Sequence, residues 1–94
     1  MGIRFEWDDA KAAENIAKHG VSFVEAKEVF ADPFELAVRD DSHSLSEDRW
    51  SSIGQTFSGR MVVVSYTESG DTIRIISARR PTKTERIAYE ENAI

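Results

Sequence analysis

The sequence has no cysteine among its 94 residues, which excludes disulfide staples, thiolate metal sites and a cysteine nucleophile. It has only two prolines and five glycines, too few for a collagen-like or Gly-rich flexible chain. Long apolar runs are missing as well. The longest is Met61-Val62-Val63-Val64, far short of the roughly 20 residues that a membrane span needs. The opening residues do not read as a signal peptide, so a reduced, cytoplasmic setting without a membrane is expected. There is no Gly-rich nucleotide loop, no HExxH and no Cys/His metal pattern. The turn Asp40-Asp41-Ser42-His43 suggests a metal site only weakly, since such turns ordinarily bond their own backbone.

What is present fits a small folded protein: 40% hydrophobic and 31% charged residues. A chain of this mass buries roughly 64% of its extended surface, enough for one core, so residues 1–94 are read as one domain. The net charge of −5 argues against a broad nucleic-acid binder, but it hides a split. Between Glu28 and Asp48 stand seven acids and one base, Arg39. Between Asp71 and Arg86 stand five bases (Arg74, Arg79, Arg80, Lys83, Arg86) and two acids. Any phosphate contact is therefore expected near the C-terminal end.

Phe5-Glu6-Trp7 is a short extended stretch, and Asp8 caps a helix over Asp9 to His19 that Gly20 ends. Ala12, Ala13, Ile16 and Ala17 form its apolar stripe. Ser22 and Glu25 make a capping box for a second, short helix that stops at Asp32-Pro33. Leu36 to Arg39, Arg49 to Gln55, Met61 to Thr67 and Thr72 to Arg79 read as strands of a meander, the last two central. Thr82 and Glu85 form another capping box and open a final helix through Glu91. The order β-α-α-β-β-β-β-α predicts an α+β fold, with helices packed on one face of an antiparallel sheet.

Strict alternation along the last strand puts Arg79 on the face of Ile73, Ile75 and Ser77, and Arg74 on the opposite one. Arg79, Arg80 and Lys83 beside a helix start make a phosphate cradle. The plainer alternative pairs Arg79 and Arg80 with the acidic middle segment. His43, Glu47 and Arg49 form a second group. Metal-free RNA cleavage needs a base for the 2′-OH, cations for the charge on phosphorus and a donor for the leaving 5′-oxygen. His43 or Glu47 can supply the first, the arginines the second, and Lys83 or Tyr89 the third. His19 reads as a helix-terminal cation, Trp7, Phe23 and Phe30 as core, and Trp50 as half-exposed and open to a partner.

Taken together, several segments resemble the BrnT family of toxins from bacterial type II toxin–antitoxin modules. They are Phe5-Glu6-Trp7-Asp8, Lys11, Asn15, Lys18-His19-Gly20-Val21-Ser22-Phe23, Glu25-Ala26, Val29-Phe30 and Asp32-Pro33. Later come Glu47, Arg49, Ile53-Gly54, Arg74-Ile75-Ile76-Ser77-Ala78-Arg79, Glu85-Arg86 and Tyr89-Glu90. The resemblance implies a RelE-like ribonuclease fold, an RNA substrate, no cofactor, and catalytic roles for Arg74, Arg79, Glu47 and Arg49, with His43 and Lys83 beside them. It further implies a hetero-oligomer with a BrnA-type ribbon-helix-helix antitoxin, through which alone the operator DNA is bound. Two functions stay open: an endoribonuclease, or a catalytically weak module that pairs with the antitoxin in operon autoregulation.

Overall fold

The computed structural model describes residues 2–40 and 49–93. A three-residue strand β1 (Arg4–Glu6) leads into helix α1 (Asp9–His19) and the single turn α2 (Phe23–Ala26), which continues as a 3₁₀ turn over Lys27–Ala31. Then come β2 (Leu36–Asp40), β3 (Arg49–Gln55), β4 (Met61–Ser69), β5 (Thr72–Arg79) and helix α3 (Lys83–Asn92). The five strands form one sheet in the order β1-β5-β4-β3-β2. No helix among the described residues is long and apolar enough to cross a membrane.

Local chemistry sets the helix ends. The Asp8 carboxylate accepts from the amides of Ala10 and Lys11 at 2.8 and 3.1 Å, and Gly20 closes α1 in the left-handed region at φ 70°. Ser22 accepts from the Glu25 amide at 3.0 Å. Only half of that expected capping box forms, because the Glu25 carboxylate turns away to an ion pair with Arg60 and a 2.9 Å bond from the Thr56 hydroxyl. At α3 both halves of the box are made.

Three further expectations are corrected. The sheet is not wholly antiparallel: β1 runs parallel to β5, Phe5 opposite Ile73. No tight turn links these two strands, so no hairpin fixes their relative direction. The helices do not share one face. Val21, Phe23, Ala26 and Val29 pack with Val62, Val64, Ile73, Ile75 and Ala78, whereas Tyr89 of α3 packs with Ile53, Met61 and Val63 on the other side. Both faces of the central strands are apolar over that stretch, and both need cover. On α1 only Asn15 is buried and Ala12 half-buried, while Ala13, Ile16 and Ala17 are exposed. The segment Val21–Val29 fills the sheet face that the Ala/Ile stripe was expected to cover.

Aromatic contacts finish this core: Phe30 meets Tyr66 edge-on at 4.9 Å, and Trp7 meets Phe23 at 5.9 Å. Trp50 packs against the same cluster and is half-buried, matching the half-exposed strand position expected for it. The 3₁₀ turn approaches β3 so closely that a Cβ at Gly54 would stand 2.8 Å from Val29 Cγ1 and 3.2 Å from Asp32 Oδ2. Gly54→Ala is therefore expected to destabilise the fold by about 1–3 kcal/mol. The check is urea denaturation, where the midpoint falls and the slope stays the same.

Candidate active site on the open sheet face

β5 carries one residue more than β4 can match. Ser65 pairs with Ser77 and Tyr66 with Ile75, which leaves Ile76 as a β-bulge. Beyond the bulge the alternation is reversed. Ala78 thus joins Ile73 and Ile75 in the core, while Arg79, opposite Val63, comes to the same face as Arg74, opposite Thr67. The sequence expectation that Arg74 and Arg79 lie on opposite faces, and that Arg79 sides with Ile73 and Ile75, is overturned by this single residue. Asn15 fixes the reversed segment: its side chain accepts from the Ala78 amide at 3.1 Å and donates to the Ala78 carbonyl at 2.8 Å.

The register lays out this face in three rows. Across the first run Asp40, Arg49, Thr67, Arg74 and Glu6; across the second Val38, Ser51, Ser65 and Ser77. The third holds Leu36, Ile53, Val63 and Arg79, and α3 lies over it through Tyr89. The first two rows are half-buried to exposed and, Val38 apart, polar; with the half-exposed Arg79 of the third row, three guanidinium groups share one accessible surface. Four residues of β4 separate the rows of Arg74 and Arg79, about 13 Å at 3.3 Å per residue, a spacing suited to different phosphates rather than one.

Arg79 is held firmly and only in part. Its Nη1 donates to Glu85 Oε1 at 2.8 Å and to the Arg80 carbonyl at 3.1 Å, and its Nη2 donates to Glu85 Oε2 at 2.8 Å. A guanidinium has five N–H donors. The three in use leave Nε–H and the outer Nη2–H, which lie side by side and form a fork fit for an anion. The Arg79 side chain is 41% exposed. Its two bonds hold the Glu85 carboxyl down to about 2 against the opposing effect of burial, helped by the Thr82 amide. Arg74 donates to Glu6 at 3.0 Å in an exposed pair.

A cavity of about 310 Å³ opens beside Glu85, lined by the apolar Leu36, Val38, Ile53, Val63 and Ala88 and by Arg39, Asp40, Ser51 and Thr84. Arg80 and Lys83 are exposed at the entry to α3. The helix dipole there is met by Glu85, whose carboxylate accepts from the Thr82 amide at 2.8 Å, and the Thr82 hydroxyl accepts from the Glu85 amide at 3.2 Å, so two of the amides at this helix start are engaged by the capping box. Tyr89, expected at the substrate, is instead buried, and its hydroxyl donates to Asp32 Oδ2 at 2.6 Å. It anchors α3 and does not face a ligand. Among the described residues the ion-pair partner of Arg79 is Glu85 and not an acid of the middle segment. His43 and Glu47 lie outside the described residues. Among the described residues no group of His, Asp and Glu side chains converges to hold a metal ion. Sequence reasoning saw Glu85 only as a cap; its second role depends on the strand end and the helix start lying side by side, which no local pattern signals.

The family model described as the BrnT ribonuclease toxin of type II toxin–antitoxin systems matches residues 7–85. The 1.1 Å crystal structure of the Brucella abortus ribonuclease toxin BrnT is similar in fold, with a TM-score of 0.63 and 24% sequence identity over 86% of this chain and 99% of that one. A search of curated proteins finds no match.

The Glu85 carboxyl is depressed from its usual 4.5 to about 2 in the folded chain, so its contribution to stability is present above pH 4.5 and is lost as pH falls toward 2. Wild type and Glu85→Gln are therefore expected to differ in melting temperature at neutral pH and to converge on acidification across that window. A pH series of thermal melts checks this; a gap that stays constant down to pH 2 contradicts it.

Proposed function

Because the chain belongs to the BrnT family of ribonuclease toxins of type II toxin–antitoxin systems, we propose that it is a metal-independent endoribonuclease acting at the three-arginine face. The observation that carries this reading is the free Nε/Nη2 fork of Arg79, on the same surface as Arg49 and Arg74. A phosphodiester seated in that fork gains two charge-assisted hydrogen bonds, which strengthen as negative charge builds on phosphorus. Arg74 and Arg49 then hold flanking phosphates of the same strand. In the reaction the 2′-oxygen attacks phosphorus and gives its proton to Glu47 or His43. The bond from phosphorus to the 5′-oxygen breaks, and that oxygen takes a proton from Lys83. The products are a 2′,3′-cyclic phosphate and a 5′-hydroxyl.

The cognate partner in this reading is a BrnA-type antitoxin with a ribbon-helix-helix end. Its acids cover the arginines, and operator DNA is bound only through it. Cytoplasmic action follows from an RNA target and a partner of that kind. A second reading, a catalytically weak module that serves operon autoregulation, is favoured by one observation: Arg74 and Arg79 already hold carboxylates.

Induced expression without the antitoxin, followed by mapping of RNA ends, separates the two. Growth arrest with cyclic-phosphate ends, unaffected by EDTA in the purified reaction, supports the nuclease. Arg79→Ala is expected to relieve the arrest and to slow cleavage by on the order of 10²-fold or more. A chain that arrests nothing and cuts nothing, yet binds the antitoxin, establishes the second reading.

A further inference from the structure

We infer that Glu85 is the positioning residue of this site: it holds the Arg79 guanidinium plane so that the Nε/Nη2 edge is presented to the phosphate. The inference rests on the nuclease reading given above. Arg79 stands at the very end of β5, where an unsupported arginine samples many rotamers. Three bonds that it donates restrict it: two to Glu85 and one to the Arg80 carbonyl. Those bonds consume the end of the guanidinium that points into α3 and leave its side edge open. The carboxylate is itself fixed by a third acceptor bond, from the Thr82 amide at 2.8 Å. Glu85 is thus anchored to the helix and the arginine is anchored to Glu85, the two-layer support that a precise anion site requires.

The same carboxylate has a structural task, the capping box, and the experiment has to part the two. Gln is accepted at this capping position, but it has one acceptor oxygen and sets an N–H₂ against the other Nη, so the paired hold on Arg79 is lost. Thr82→Ala does the reverse: it removes the hydroxyl that accepts from the Glu85 amide at 3.2 Å and leaves the Arg79 pair in place. The purified variants are assayed on an in vitro transcribed RNA at a temperature where all of them are folded.

Glu85→Gln is expected to lower kcat by about tenfold to a hundredfold with little change in KM, because a loosened arginine still attracts phosphate but meets it in the wrong geometry. Glu85→Asp, which keeps the charge on a shorter stem, recovers part of that loss. Thr82→Ala lowers the melting temperature and leaves kcat as it was. A wild-type kcat in Glu85→Gln overturns the inference, and so does an equal kcat loss in Thr82→Ala, which assigns the effect to the helix end. Unimpaired cleavage by Arg79→Ala instead overturns the placement of the phosphate at Arg79, a failure distinct from both.

Discussion

The carboxamide of Asn15 does for β5 what a neighbouring strand does elsewhere in the sheet. β1 pairs only as far as Arg74, so the rest of that edge would present unmet backbone groups to the interior. Asn15 donates to Ala78 and accepts from it, and gives its other N–H to Val21 at 2.8 Å. One buried side chain thereby ties α1, the chain leaving it and the strand end together. An apolar residue of similar size would leave two carbonyls and an amide buried without partners, each costly in a low-dielectric interior. The placement of Arg79, one residue beyond Ala78, depends on this contact more than on any property of arginine.

The acids of the N-terminal half explain how a chain of charge −5 still presents a basic face. They act as staples. Glu25 is held below the ordinary carboxylate range by its bonds from Arg60, against burial. Asp32 accepts from the Phe34 and Gln55 amides, both at 2.8 Å, and from the Tyr89 hydroxyl. Burial pushes its carboxyl up, and those donors together outweigh that effect. Burial, with Asp32 close by, pushes the Tyr89 hydroxyl up to about 12. Glu35 is raised, chiefly by burial, although Ser52 donates to it at 2.5 Å. Carboxylates that bind backbone and hydroxyl groups at element junctions are not available to lie over Arg79, which is why its counter-ion comes from α3.

Much of the fold was legible in the sequence because its signals are local. Asp8, Gly20, Thr82 and Glu85 mark helix ends by capping chemistry, and the Val/Ile runs of β4 and β5 mark central strands. What escaped was non-local. The parallel pairing of β1, the second covered face and the exposure of Ile16 all depend on which segment reaches the sheet first, and composition does not record that. At the site, the charge pattern picked out Arg74 and Arg79, yet their common face depends on a bulge that no residue type announces. Tyr89 has the chemistry of a proton donor, but a buried carboxylate claimed its hydroxyl. The resemblance to BrnT toxins pointed to the same segments without saying which side of the sheet they served.

The bulge at Ile76 also means that strand register, and not residue identity alone, writes the arrangement of guanidinium groups. Arg79 stands five positions beyond Arg74 in β5, whereas their partners Val63 and Thr67 stand four positions apart in β4. In-frame loss of the Ile76 codon would restore regular pleating and still leave Arg79 on the face of Arg74, four positions away as Val63 is from Thr67. Flattening the bulge without losing a residue would instead turn Arg79 toward the packed interior, so the layout of the guanidinium groups tolerates a deletion that a slip of strand register would not.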